Sequence, residues 1–90
     1  MAKQGHFEEH WTDNSGNPAG GVSTGRGFAV SWQNGPLGKG SDRREPNGAF
    51  VEDVIAVVIS RIEFYENSRF ACDENKAALA HLKAAADALD

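Results

Sequence analysis

Ninety residues with a net charge of −4 set the expectation of one small domain. The longest apolar run, Val54 to Ile59, is far shorter than the ~20 residues of a membrane span, and Met1-Ala2-Lys3-Gln4-Gly5-His6 lacks the apolar core of a secretory signal. The single cysteine, Cys72, excludes an internal disulfide framework, fits a reducing cytosol, and has acidic neighbours rather than the electropositive setting that activates a thiol.

Charge and composition both change along the chain. Residues 1–48 carry five basic and five acidic side chains, whereas residues 49–90 carry four basic and eight acidic. The second half therefore repels a polyanion, and polymeric nucleic acid is not an expected partner. A small phosphorylated ligand is still allowed, because one or two placed arginines suffice for it. All ten glycines lie at or before Gly48 and all three prolines at or before Pro46, which marks a composition boundary.

In chain order, His6-Phe7-Glu8-Glu9-His10-Trp11 is a weak strand candidate in which Phe7 would pair with Phe28 or Trp32. Thr12 to Gly27, rich in Asn, Ser, Gly and Pro, reads as loop or tail. Residues 1–24 are thus expected to be a flexible segment holding at most one short strand. Gly27 to Gln33 alternates, with Phe28, Val30 and Trp32 on one face, and predicts a half-buried strand ended by Asn34-Gly35-Pro36. Leu37 to Asn47 is a polar loop or a weakly specified second strand, so the strand region spans 27–46. Asn47 is the expected N-cap of a helix over 49–67, with Glu52 and Asp53 in its first turn. Val51, Val54, Ile55, Val58, Ile62 and Tyr65 form its apolar stripe. Asp73 is the expected N-cap of a second helix over 73–90, with a stripe of Leu79, Leu82, Ala86 and Leu89 beside Ala78 and Ala85. A short link predicts an antiparallel hairpin. The fold class is α+β, with short N-terminal antiparallel strands followed by the hairpin, and residues 25–90 are expected to form a single domain.

The first helix also carries Phe50, Val57, Ile59 and Phe64 on its other sides, more apolar surface than an alanine-rich partner helix covers. Homo-oligomerisation is therefore expected, with a monomer shielded by its own strands as the alternative.

Few motifs point to chemistry. His6 and His10 are four apart, but Phe7 stands where a zinc-protease helix needs Glu, so both read as part of a solvated tail. Gly35-Pro36-Leu37-Gly38-Lys39-Gly40-Ser41 lacks the Walker spacing, although amides near Lys39, Arg43 and Arg44 are candidates to touch a ligand phosphate. Asn75 falls on the inner stripe of the second helix and reads either as a ligand contact or as a hydrogen bond capping the first helix. Tyr65, Phe64 and Phe70 cluster at the same end, as core or as a stacking wall for a base. His81 reads as solvated. No catalytic constellation, metal cluster or cofactor motif is present in the spacing, so an enzyme is not expected.

Gly27 to Leu89 resembles the phage anti-Thoeris sponge proteins, which share a hairpin domain with the anti-CBASS sponges. The resemblance rests on Val30-Ser31-Trp32-Gln33, Gly35-Pro36, Asn47-Gly48, Val51-Glu52-Asp53-Val54 and Arg61-Ile62-Glu63-Phe64-Tyr65. It continues through Cys72, Glu74-Asn75, Ala78-Leu79 and Leu82 to the alanine-leucine run ending at Leu89. It implies a non-catalytic protein that sequesters a cyclic nucleotide immune messenger in the cytoplasm of the infected bacterium. The implied messenger is a cyclic ADP-ribose isomer, or in some members a cyclic di- or trinucleotide. It also implies a homo-oligomer, dimer or hexamer, with ligand sites between subunits and Asn75 beside Tyr65 or Phe64. With Trp32, Gly35, Arg43 and Arg44 from the first half, these residues make up the expected ligand-binding set. Two differences stand out. Asp73 replaces the arginine usual after the cysteine, and the family's arginine-rich tail beyond the second helix has no counterpart before Asp90. The alternative from a different class is an interaction module docking on a host or phage protein through its acidic helices.

Overall fold

The computed structural model describes residues 6–90. The chain divides into two compact units, Met1–Phe50 and Val51–Asp90, within a few residues of the composition boundary at Gly48. The first unit is a three-stranded antiparallel sheet, β1 (Phe7–Thr12), β2 (Pro18–Gly25) and β3 (Phe28–Trp32), in spatial order β1-β2-β3. The second is a helical hairpin, α1 (Val51–Glu66) and α2 (Asp73–Leu89). The α+β class is as the sequence predicted, and no helix among the described residues is long and apolar enough to cross a membrane.

The central strand is where sequence and structure part. β2, Pro-Ala-Gly-Gly-Val-Ser-Thr-Gly, lies inside the stretch expected to be loop or tail. Its composition is poor for a strand, but both flanks are paired, and the glycines let neighbours approach closely. A Cβ at Gly20 would come within 3.0 Å of the Trp11 ring. β1 exists as expected but pairs with β2, setting Phe7 opposite Thr24 instead of Phe28 or Trp32. β2 pairs in turn with β3, setting Gly21 opposite Trp32 and Ser23 opposite Val30. Directly opposed residues share a face. One face therefore carries Glu8, His10, Ser23, Val30 and Trp32, and the other carries Phe7, Glu9, Val22, Thr24 and Ser31. The β1–β2 turn is built on Asp13, whose side-chain Oδ1 accepts the N–H groups of Ser15 and Asn17, both at 2.9 Å.

The loop after β3 closes on itself. Ala49 bridges Trp32 in parallel, with Ala49 N–H donating to Ser31 O at 2.7 Å and Gln33 N–H to Ala49 O at 2.9 Å. Asn47 is not a helix cap, because α1 begins only at Val51. Its Oδ1 instead accepts from Asn34 N–H at 2.8 Å, and its Nδ2 donates to Asn34 O at 3.0 Å. Its own N–H donates to the Gln33 side chain at 2.9 Å. An amide that satisfies a free backbone donor and acceptor across a loop neck has the same chemistry as a cap, which is why the sequence did not separate the two uses.

In the hairpin, the half-buried apolar positions of α1 are Val54, Ile55, Ile59 and Ile62, so Ile59 joins the stripe while Val51, Val58 and Tyr65 stay exposed. Asn75, Ala78, Leu79, Leu82, Ala85 and Ala86 are the matching positions on α2, as its periodicity predicted, but Leu89 is exposed. Asp73 is the first helical residue and not the cap; Cys72 takes the N-cap position without a side-chain hydrogen bond. No apolar side chain among the described residues is fully buried.

Candidate functional site

The Arg61, Phe64 and Tyr65 side chains occupy one exposed patch of α1, because residues three and four apart on a helix meet on its surface. The Arg61 guanidinium sits 5.1 Å from the Phe64 ring centroid and 5.0 Å from that of Tyr65. Arg61 Nε–H donates to the Tyr65 hydroxyl at 3.1 Å, and the two rings are 6.2 Å apart at 51°. Phe64 is 62% exposed, and with Val57, Ser60 and Arg61 it lines an open, shallow depression. This is a cation and two π-faces presented to solvent, an arrangement that attracts planar rings and anions. Phe64 and Tyr65 were expected site residues. Arg61, which organises them, was not, although its i, i+3, i+4 spacing was visible in the sequence.

The turn between the helices is organised by a carboxylate that the sequence presents only as part of the acidic helical surface. Glu66, 13% exposed, accepts from Cys72 N–H at 2.9 Å and from the Lys76 ammonium at 3.2 Å. Partial burial works against its ionisation. The hydrogen bonds from Cys72 and Lys76, the Lys76 charge and the Asn75 amide outweigh that, and the carboxyl is held below its ordinary value of 4.5. Asn75 Nδ2 donates to Phe70 O at 3.3 Å, tying α2 to the connecting turn. The Tyr65 carbonyl near the end of α1 is taken by Ser68, through its hydroxyl at 2.6 Å and its N–H at 3.1 Å. The capping expected of Asn75 thus falls to Ser68.

A group with a depressed native pKa stabilises the fold above its unfolded pKa and loses that contribution as pH falls through the native one. Glu66→Gln is accordingly expected to melt below the parent at pH 7, and the gap should close as pH falls below the ordinary carboxylate range. Thermal melts of the helical dichroism signal at pH 7 and pH 3 check this; a gap equal at both values would remove the charged carboxylate from the account.

In the sheet unit, Trp32 Nε1–H donates to Ser23 Oγ at 2.9 Å, which anchors the indole on its face of the sheet. Gly35 has φ +81° and its carbonyl accepts from the Gln33 side chain at 3.1 Å, so it serves the loop neck. Arg43 and Arg44 follow a single 3-10 turn at Gly40–Asp42 and are exposed, with Arg44 N–H donating to Leu37 O at 2.7 Å. His6 and His10 are not a free tail. His10 lies on β1, and the Glu8 carboxylate meets His6 at 2.9 Å and His10 at 3.3 Å. No group of three or more His, Cys, Asp or Glu among the described residues is arranged to hold a metal ion.

These features define a small α+β protein whose hairpin displays an arginine–aromatic patch and whose sheet is joined to it by a loop with a hydrogen-bonded neck. No protein-family model matches the chain. It is 38% identical over 61 residues to Thoeris anti-defense 1 of Bacillus phage SBSphiJ7, a match that takes in 68% of this chain and 40% of the relative. Over this matched region the chain belongs to the anti-Thoeris family. It spans about two-fifths of the length of the relative.

Proposed function

We propose that this protein acts against Thoeris defence as a non-catalytic binder that sequesters a cyclic nucleotide messenger, a cyclic ADP-ribose isomer or a related cyclic nucleotide. The observation that carries the reading is the Arg61 guanidinium lying over the exposed Phe64 and Tyr65 rings. A cyclic ADP-ribose isomer has a planar base and a pyrophosphate, and the patch supplies a stacking surface and a cationic fork for them. Similarity to a phage protein named for Thoeris anti-defence supports the biological setting.

The ligand site is completed by a second copy of the chain. Val57 is 68% exposed and Phe64 62%, two turns apart on one face of α1 and lining the same depression, and a second copy would cover them. Within the hairpin Asn75 is a further residue proposed for binding, and within the sheet unit Trp32, Gly35, Arg43 and Arg44 are proposed. Docking on another protein through the acidic helices has less support, because Glu63 and Glu66 are already engaged by Lys83 at 3.1 Å and Lys76 at 3.2 Å.

Calorimetric titration with cyclic ADP-ribose isomers and with cyclic dinucleotides tests the reading. Saturable heat with at least one of them, together with a raised melting temperature, is expected. Silence with all of them would end the sponge reading.

A further inference from the structure

Strand β1 is an outer strand, and all six of its residues are exposed. β2 pairs one of its sides, and no other strand among the described residues pairs the opposite one. The sheet's other edge differs, since β3 is partly closed by the Trp32–Ala49 bridge. An open row of backbone donors and acceptors is a template for another strand.

The order of side chains on β1 says which strand fits. We propose that β1 pairs antiparallel with β1 of a second copy of this chain, in the register that sets Glu9 opposite Glu9. Two identical strands related by a two-fold axis pair residues whose numbers have a constant sum. That sum must be even, because opposed residues must turn their amides the same way, alternately towards and away from the partner strand, and share a face. Three registers then keep most of the strand paired, centred on Glu8, Glu9 or His10. Centring on Glu8 sets Phe7 against Glu9 twice and Glu8 against itself. Centring on His10 sets Glu9 against Trp11 twice and His10 against itself. Centring on Glu9 sets Phe7 against Trp11 twice on one face and Glu8 against His10 twice on the other. That register alone matches aromatic with aromatic and carboxylate with imidazole, the pairs that stabilise antiparallel ladders. Glu8 and His10 already attract one another within the strand, at 3.3 Å. The one opposed like pair, Glu9 with Glu9, has each carboxylate accepting the Trp11 indole N–H of its own strand at 3.0 Å.

This interface uses only residues of β1 and does not depend on any nucleotide, so its test is independent of the sponge reading. In the full chain carrying Cys72→Ser, Glu9→Cys should form a disulfide-linked dimer on mild oxidation. Directly opposed residues in an antiparallel ladder have Cα atoms about 4.5–5.5 Å apart, inside the range a disulfide spans. Phe7→Cys alone and Trp11→Cys alone should not cross-link, because four residues of offset separate like positions by about 14 Å. Mixing those two variants should restore the bridge. Glu9→Gln, which removes the opposed charges, should tighten association about two- to five-fold by sedimentation. Failure of Glu9→Cys to cross-link, yields from Phe7→Cys alone equal to those from Glu9→Cys, or association unchanged in Glu9→Gln would each overturn the pairing.

Discussion

Gly21→Ala is expected to strip the amides of β1 of their hydrogen-exchange protection and to unfold the sheet. Gly21 is in the central strand, opposite His10 on one side and Trp32 on the other. Its φ of +150° is one that side-chain-bearing residues rarely adopt. A Cβ there would overlap the Glu9 carbonyl oxygen and lie 3.3 Å from the His10 Cα. Both atoms are backbone, so relief requires the strands to separate. Strain plus lost pairing amounts to about 2–4 kcal/mol, a large fraction of what a three-stranded sheet holds. Gly16→Ala supplies the control. Gly16 also has a positive φ, +82°, but nothing lies within 4 Å of the added methyl, so only the conformational term of about 1 kcal/mol remains. Amide exchange followed by mass spectrometry separates the two; equal loss of protection in both variants would mean that the clash at β1 is not the cause.

Arg61→Ala carries the other large expectation, a loss of messenger affinity of about 30- to 150-fold, the value of a charge-assisted contact of about 2–3 kcal/mol. Arg61 is exposed, its neighbours are surface rings, and its loss should move the melting temperature of the hairpin little. Arg61→Lys keeps the charge but not the planar fork, so it should recover only a minor part of the affinity. The comparison is made by calorimetry on protein that retains its helical melting transition. If Arg61→Lys bound as well as the parent, charge alone would be sufficient and the stacked geometry would be irrelevant.

The two halves of this chain differed in how legible they were, for a physical reason. Helix periodicity is a local property, so the stripe of α2 was read nearly as it stands, from Asn75 through Ala86. α1 was placed within two residues of its observed bounds. A strand's existence depends on partners distant in sequence. β3 was legible because Phe28, Val30 and Trp32 alternate, whereas β2, with four glycines or prolines in eight residues, carries no such pattern and is a strand only because both neighbours pair with it. Among candidate site residues, the aromatics of α1 were identified by their position. Arg61 was passed over because a lone arginine on a helix surface looks solvated until its distance to two rings is measured.

Polar side chains were the hardest to assign. Asn47 has the identity of a helix cap and Glu66 that of a surface acid, yet one holds a loop neck and the other closes a helix turn. Composition and periodicity by themselves determined the α+β class, the hairpin and the excess of apolar surface on its first helix. Only the folded chain decided that a glycine-rich segment is the central strand, which amides and carboxylates are spent on backbone groups, and which edge of the sheet no other described strand pairs. Hydrogen bonds are made between atoms brought together by folding, and residue type says what a group can bond, not which partner comes within 3 Å of it.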